Sequence, residues 1–346
     1  MLRRTLGAAA RERLLRSWWQ PQPDGLARTL APLAWIVGQM VRLRARRARA
    51  RWRAPCAVVV VGNLVVGGAG KTPTVIALVT AMRDAGWHPG VISRGHGRTD
   101  VGAVVPVHPD SSPAEAGDEP LLIRRRTACP VFVGADRVAA AQALLRAHPE
   151  VDLLVADDGL QHLALARDAE LWLFDERGVG NGCLLPAGPL RQPLPDRAPA
   201  HAHVLYNAPR ATTPLPGSLL TRRLAGALPL DRWHAGDPMD PAAFGALQGR
   251  RLHAMAGIAA PERFFAMLRA EGLRLDPLPL PDHDRLDTLP WPADAQDVLC
   301  TEKDAVKLAP ARCGATRVWV VGLDLALPST MLASLQAQLD PLRRRP

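Results

Sequence analysis

Lysine is almost absent from this chain. Of 43 basic residues in 346, three are lysines, at positions 71, 303 and 307, and forty are arginines. A lysine here is therefore not background, whereas arginine in so alanine-rich a chain reflects coding bias and is discounted. Cysteine is also sparse. The five, at 56, 129, 183, 300 and 313, form no C-x-x-C pair, which excludes a paired-thiol zinc site and fits a reducing compartment. No internal repeat or low-complexity tract is present. Acids are scarce at the N-terminus: residues 1–53 hold thirteen arginines against Glu12 and Asp24, a net +11, while the remainder carries −1. A near-neutral body argues against nucleic-acid binding, and the basic arm argues for an anionic partner.

Within that arm Trp18 and Trp19 precede a polar turn, and Leu30 to Val41 is almost wholly apolar. As a helix this stretch covers ~18 Å, short of the ~30 Å hydrocarbon core. A signal peptide places its charge before the apolar part, but here Arg42, Arg44, Arg46, Arg47, Arg49, Arg51 and Arg53 follow it. The pattern predicts an interfacial helix, with apolar residues at the acyl boundary, tryptophans at headgroup level and arginines on anionic lipid. A core helix with a solvated basic face is the alternative.

What the chain does have is Ala57 to Leu78, AVVVVGNLVVGGAGKTPTVIAL. A buried strand, a glycine-rich turn and Gly70-Lys71-Thr72 opening a helix make a phosphate-binding loop. Gly67, Gly68 and Gly70 let backbone N–H groups turn toward phosphate oxygens, and the helix N-terminus favours an anion. Lys71 reaches the β/γ-phosphates of ATP and Thr72 ligates Mg²⁺ in such loops. The strict spacing wants glycine at 65, where this chain has Val65.

Further acids and loops stand where strands end. Val151 to Gly159 reads as a buried strand ending in Asp157 and Asp158, either of which suits Mg²⁺. Pro89–Ser93 is a second strand, followed by Arg94-Gly-His96-Gly-Arg98, and Val101 to Val107 suggests a hairpin. Asp118-Glu119-Pro120 opens a helix, where an acid is often only a cap. Asp175 to Arg191 is a glycine- and proline-rich loop with apolar anchors, in which Arg191 suits phosphate. Residues 193–240 look like a connector with short strands. Pro281-Asp-His283-Asp284 is an acid–histidine–acid turn, and Val298–Cys300 meets Thr301-Glu-Lys-Asp304. Strands alternating with helices predict an α/β fold: a P-loop NTPase-like α/β/α domain with a mostly parallel sheet, a second smaller α/β domain, and an N-terminal membrane-associated helix. The expected division is 1–53, 54–195 and 196–346.

These motifs, VGNLVVGGAGKTP from Val61, SRGHGR from Ser93, GDEP from Gly117, DDGLQH from Asp157, LLPAGPLR from Leu184, Asp282-His283 and TEKDAVK from Thr301, occur in an order that resembles the tetraacyldisaccharide 4′-kinase family. The resemblance runs from the N-terminal segment to about residue 325. It implies an ATP- and Mg²⁺-dependent kinase of the lipid A pathway, acting on an acylated disaccharide 1-phosphate at the cytoplasmic face of the bacterial inner membrane. No nucleic-acid partner is expected of the near-neutral body, and no obligate protein partner is evident in the sequence. It assigns Asp118 and His283 to a catalytic dyad, Gly67, Gly68, Gly70, Lys71 and Thr72 to nucleotide, Thr72, Asp157, Asp158 and Glu119 to metal, and Arg94, His96, Asn181 and Arg191 to substrate. The chain departs from the family at His96 (commonly Tyr), Val65 (Thr), Gln192 (Glu) and Leu160 (Phe). A membrane-bound P-loop switch or partitioning ATPase is the rival from another class, and it has no need of an Asp118–His283 pair.

Overall fold

The computed structural model describes residues 7–47 and 52–343. Arg49, Arg51, Arg344 and Arg345 fall outside them. In chain order the elements are α1 (Ala8–Trp18), α2 (Gly25–Arg47), β1 (Ala57–Gly62), α3 (Lys71–Asp84), β2 (Pro89–Ser93), β3 (Val105–Pro106), α4 (Pro113–Ala116), α5 (Asp118–Thr127), β4 (Val131–Val133), α6 (Arg137–Ala147), β5 (Leu153–Asp157), β6 (Ala169–Asp175), β7 (Ala202–Asn207), β8 (Ser218–Leu219), β9 (Thr221–Pro229), α7 (Leu230–Ala235), α8 (Ala243–Leu247), β10 (Leu252–Ala256), α9 (Pro261–Ala270), β11 (Leu275–Pro279), β12 (Asp297–Thr301), α10 (Glu302–Ala305), β13 (Arg317–Ala326) and α11 (Ser329–Leu339). The result is an α/β fold with mostly parallel strands.

The chain divides into two compact units. The first comprises residues 1–71, 158–220 and 328–346. Its strands pair in parallel, β1 on β6, β6 on β7 and β7 on β8. β1 and β6 are buried along their whole length, as continuous apolar strands of a covered parallel sheet should be. Gln338 of α11 docks beside them, donating to the Asp168 carbonyl at 2.6 Å.

In the same unit α2 is longer than its apolar stretch, at 23 residues. It buries only its small residues, Ala27, Ala34 and Gly38. Leu33, Ile36, Met40 and Leu43 recur at helical spacing on an exposed face, with Trp35 beside them at 66% exposure. Among the described residues no helix is long and apolar enough to cross a membrane. Trp18 differs from expectation. It is buried, and its indole N–H donates to the Pro186 carbonyl at 2.9 Å, because a buried indole needs an acceptor and this loop carbonyl supplies it. Arg53 is also engaged with protein, pairing with Asp168 at 2.9 Å.

The second unit comprises residues 72–157 and 221–327. β2 pairs in parallel with both β4 and β5. β3 does not close a hairpin of its own, as Val101 to Val107 suggested. It adds antiparallel to β4, with Val105 opposite Val133. A separate five-stranded sheet has the order β11-β10-β12-β13-β9. Only β9 runs antiparallel in it, and this nine-residue strand arises inside the stretch that reads as a connector. Proline-rich flanks hide its pattern. Phe264, Phe265 and Leu268 of α9 cover Leu252, Ala254 and Leu299 of this sheet.

Candidate functional site

In the first unit the glycine loop is built by its own side chains. Asn63 is fully buried and donates to the Gly67 carbonyl at 3.0 Å. Asn207 donates to the Ala69 carbonyl at 2.9 Å. Gly67 and Gly70 have φ of 97° and 91°, a region L side chains rarely adopt, so both positions need glycine. Val65 has a different task from the glycine the strict spacing wants there. It is buried and bridges Leu190, while Val66 N–H donates to the Pro189 carbonyl at 2.9 Å and Arg191 N–H to the Leu64 carbonyl at 2.7 Å. The LLPAGPLR segment is therefore strapped to the loop strand-fashion, which calls for a β-branched residue.

Lys71 begins α3, and its ammonium lies 3.4 Å from Asn63 Oδ1 and 3.8 Å from Asp158 Oδ1. Arg191 reaches the same Asp158 oxygen at 3.0 Å and Gln161 at 3.3 Å. The structure thus brings together Lys71, Asp158 and Arg191. Arg177, which the sequence did not single out, is held by Asp175 at 2.6 Å, donates to the Gly68 carbonyl at 3.4 Å and lies 4.2 Å over the Trp19 ring. Asn181 does not join this group. It is buried with its amide donating to the Ser17 and Ala187 carbonyls at 3.2 and 3.0 Å and accepting from Cys183 N–H at 3.0 Å.

In the second unit Thr72 and Asp157 are buried, and Ser93 donates to Asp157 Oδ2 at 3.1 Å. The loop after β2 folds back on the start of α5. A Cβ at Gly117 would meet the His96 carbonyl at 2.9 Å, and one at Gly95 the Ala116 carbonyl at 2.9 Å. This close approach seats Asp118 at the first position of α5, where Oδ1 accepts from Glu119 N–H at 2.9 Å. His283, at φ 62°, brings Nδ1 to 3.1 Å from Asp118 Oδ2. The exposed His96 packs edge-on against His283 with ring centroids 5.0 Å apart. Arg94 is exposed on the same loop.

The sequence did not assign Lys303 to this cluster. Its ammonium contacts Glu119 Oε1 at 3.1 Å, Asp282 Oδ1 at 3.0 Å and His283 Nε2 at 3.3 Å. Its rarity in the chain was the available signal. Burial alone would raise the Asp118 pKa, but the hydrogen bond from His283 and the charge of Lys303 outweigh it and bring it down to about 2. Burial likewise opposes the Lys303 charge, and Glu119, Asp118 and Asp282 overcome it, holding the amine well above its ordinary value. A buried carboxylate, ionised and held by imidazole, can accept a hydrogen bond from a hydroxyl and take its proton.

Among the described residues no group of three or more His, Cys, Asp or Glu side chains could hold a metal. A hydroxyl and a carboxylate, as in Thr72 and Asp157, are nevertheless hard oxygen donors that suit Mg²⁺, which binds through one or two protein ligands plus phosphate and water.

Comparison with known proteins points one way. The family model described as Tetraacyldisaccharide-1-P 4′-kinase matches residues 26–340. A tetraacyldisaccharide 4′-kinase of Methylibium petroleiphilum is 52% identical over 341 residues, covering 96% of this chain and 94% of the relative. One from Leptothrix cholodnii is 50% identical, covering 96% and 97%. Among solved structures, that of LpxK from Aquifex aeolicus in complex with ATP is similar in fold, with a TM-score of 0.74, 23% identity, and coverage of 92% of this chain and 100% of that one.

Proposed function

The chain belongs to the tetraacyldisaccharide-1-P 4′-kinase family, and we propose that it transfers the γ-phosphoryl group of ATP to the 4′-hydroxyl of a tetraacylated disaccharide 1-phosphate in lipid A biosynthesis, with Asp118 as the base on the acceptor side. It is a kinase, a phosphotransferase with an alcohol acceptor. The observation that carries the residue assignment is the 3.1 Å contact between His283 Nδ1 and Asp118. A switch ATPase has no use for it.

On the donor side, the amides of Gly67, Gly68 and Gly70 and the Lys71 ammonium hold the β- and γ-phosphates. Thr72 and Asp157 would hold Mg²⁺, which neutralises charge on the β,γ-oxygens when bound. Asp158 and Glu119 are weaker metal candidates, since their oxygens face Lys71 and Arg191 in one case and Lys303 in the other. The acceptor oxygen forms a bond to the γ-phosphorus as the bond to the β,γ-bridging oxygen breaks. ADP leaves with that electron pair, and the hydroxyl proton passes to Asp118. A transition state of this kind is loose, so a carboxylate of low basicity suffices, its main task being to aim the hydroxyl. His283 orients the carboxylate or shares its proton. Arg94 and His96 are assigned to substrate contact, Arg191 to phosphate charge, and Asn181 to shaping the loop that carries Arg191.

The exposed apolar stripe of α2, with Arg42, Arg44, Arg46 and Arg47 beyond it, supports a monotopic seat on an anionic membrane surface, the cytoplasmic face of the inner membrane where this lipid is made. The test is direct. Protein, ATP, Mg²⁺ and tetraacyldisaccharide 1-phosphate in detergent should give a lipid one phosphate heavier by mass spectrometry. ATP hydrolysis without that product would sink the kinase reading. Asp118→Ala should cut turnover by ~10²-fold or more, and near-normal turnover would reduce the carboxylate to a helix-terminal contact.

A further inference from the structure

Lys303 touches both acceptor-side motifs, GDEP through Glu119 and the Asp282–His283 turn through both its members. An ammonium has three N–H donors and no acceptor. Here three acceptors surround it, at 3.1, 3.0 and 3.3 Å. The third is His283 Nε2, and a nitrogen that faces a donor-only cation must present its lone pair. The imidazole proton then belongs on Nδ1, where it points at Asp118 Oδ2.

The other groups around the ring agree. The edge-on contact from His96 and the carboxylate on Nδ1 fix the ring plane. Asp282 lies 3.7 Å from Nε2, too far to accept a hydrogen bond from it, and its oxygen is already taken by Lys303 at 3.0 Å. Lys307 turns away, to the Asp284 carbonyl and Asp304.

We propose that Lys303 is a positioning residue that holds His283 as its Nδ1–H tautomer, so that His283 serves as hydrogen-bond donor to Asp118 and Asp118 alone takes the proton of the attacking hydroxyl. This rests on the dyad reading given above and decides between its two versions. If His283 instead bore its proton on Nε2, that N–H would oppose the ammonium and Nδ1 would meet the carboxylate lone pair to lone pair. Wrong tautomers of this kind cost acid–base enzymes dearly.

The experiment uses the full chain in detergent micelles, labelled with ¹⁵N-histidine, with the His283 signal identified by its loss in His283→Gln. Long-range ¹H–¹⁵N spectra should show a protonated Nδ1 and a bare Nε2. Lys303→Met should move the signal toward the other tautomer and lower kcat by about tenfold or more, with KM for ATP unchanged. Lys303→Arg, which keeps a cationic donor, should restore the tautomer and part of kcat. A protonated Nε2 in the unmodified protein overturns the proposal, and that spectrum decides even where Lys303→Met fails to fold. An unchanged tautomer and kcat in folded Lys303→Met overturns it as well. Full turnover in Asp118→Asn would instead remove the dyad reading itself, so the two failures are distinguishable.

Discussion

Lys71 and Asp158 face each other at 3.8 Å, and Arg191 approaches the same carboxylate oxygen at 3.0 Å. The lysine of the glycine loop and the arginine of the segment strapped to it are thus gathered on one acid. A polyphosphate offers more oxygens and more charge than one carboxylate, and under the proposed function it would find the cations already aimed.

From this it follows that replacing the ammonium should cost transition-state charge stabilisation. Lys71→Met is expected to lower kcat/KM for ATP by ~10²-fold or more. Initial rates at limiting ATP measure it, and a loss of less than about threefold would show that the lysine does not touch the phosphates.

Asp118 makes stability depend on pH. Its carboxyl titrates near 3.8 when unfolded and near 2 when folded. A depressed folded pKa contributes stability that is present above the unfolded value and is lost as pH falls through the folded one. The difference corresponds to roughly 2 kcal/mol at neutral pH. Urea unfolding should therefore find Asp118→Asn less stable than the parent by about that amount at pH 7, with the gap roughly halved at pH 3. A gap that does not change with pH would contradict the linkage.

Gly180 sits at φ 56°, and a methyl group there would run into the Trp18 carbonyl. That oxygen also accepts from Asn181 N–H at 2.9 Å, tying the α1–α2 turn to the 175–191 loop. Gly180→Ala is expected to cost ~1–3 kcal/mol, read as a fall of several degrees in thermal unfolding. An unchanged midpoint would mean that the turn moves aside freely.

The exposed face of α2 should carry membrane affinity. Each large apolar side chain moved from water to the acyl boundary is worth ~1.5–3 kcal/mol, so Trp35→Glu with Ile36→Glu should weaken sedimentation with anionic vesicles by well over tenfold. Added salt should weaken the parent further, through the arginines beyond the stripe. Equal sedimentation of both proteins would refute an interfacial α2.

Much of the site was legible because its chemistry is written locally. Glycines before Lys71, acids closing the strand at Asp157, and Asp118 heading a helix are patterns a few residues long. Their partners were less legible. Nothing near Lys303 announces His283, twenty residues earlier, and only parallel pairing within one sheet, β12 on β10 and β10 on β11, sets Lys303 near the turn that follows β11. Trp18 illustrates the opposite error. A tryptophan beside a basic apolar arm suggests lipid, but the acceptor its indole finds is Pro186, 168 residues on. The sequence shows β9 only as one of a connector's short strands, because its partner, β13, lies a hundred residues away and its own alternation is weak.

The pairing of Val65 with Leu190 also bears on how such a kinase can be altered. Two stretches 125 positions apart behave as one part. Grafting the glycine loop alone into another scaffold, or restoring regular spacing by Val65→Gly, would strip the loop of the strand that braces it. Changes in the length of the 184–191 segment should likewise appear as changes in nucleotide affinity. The exchangeable module is the pair, and redesign of the donor side would have to move both pieces together.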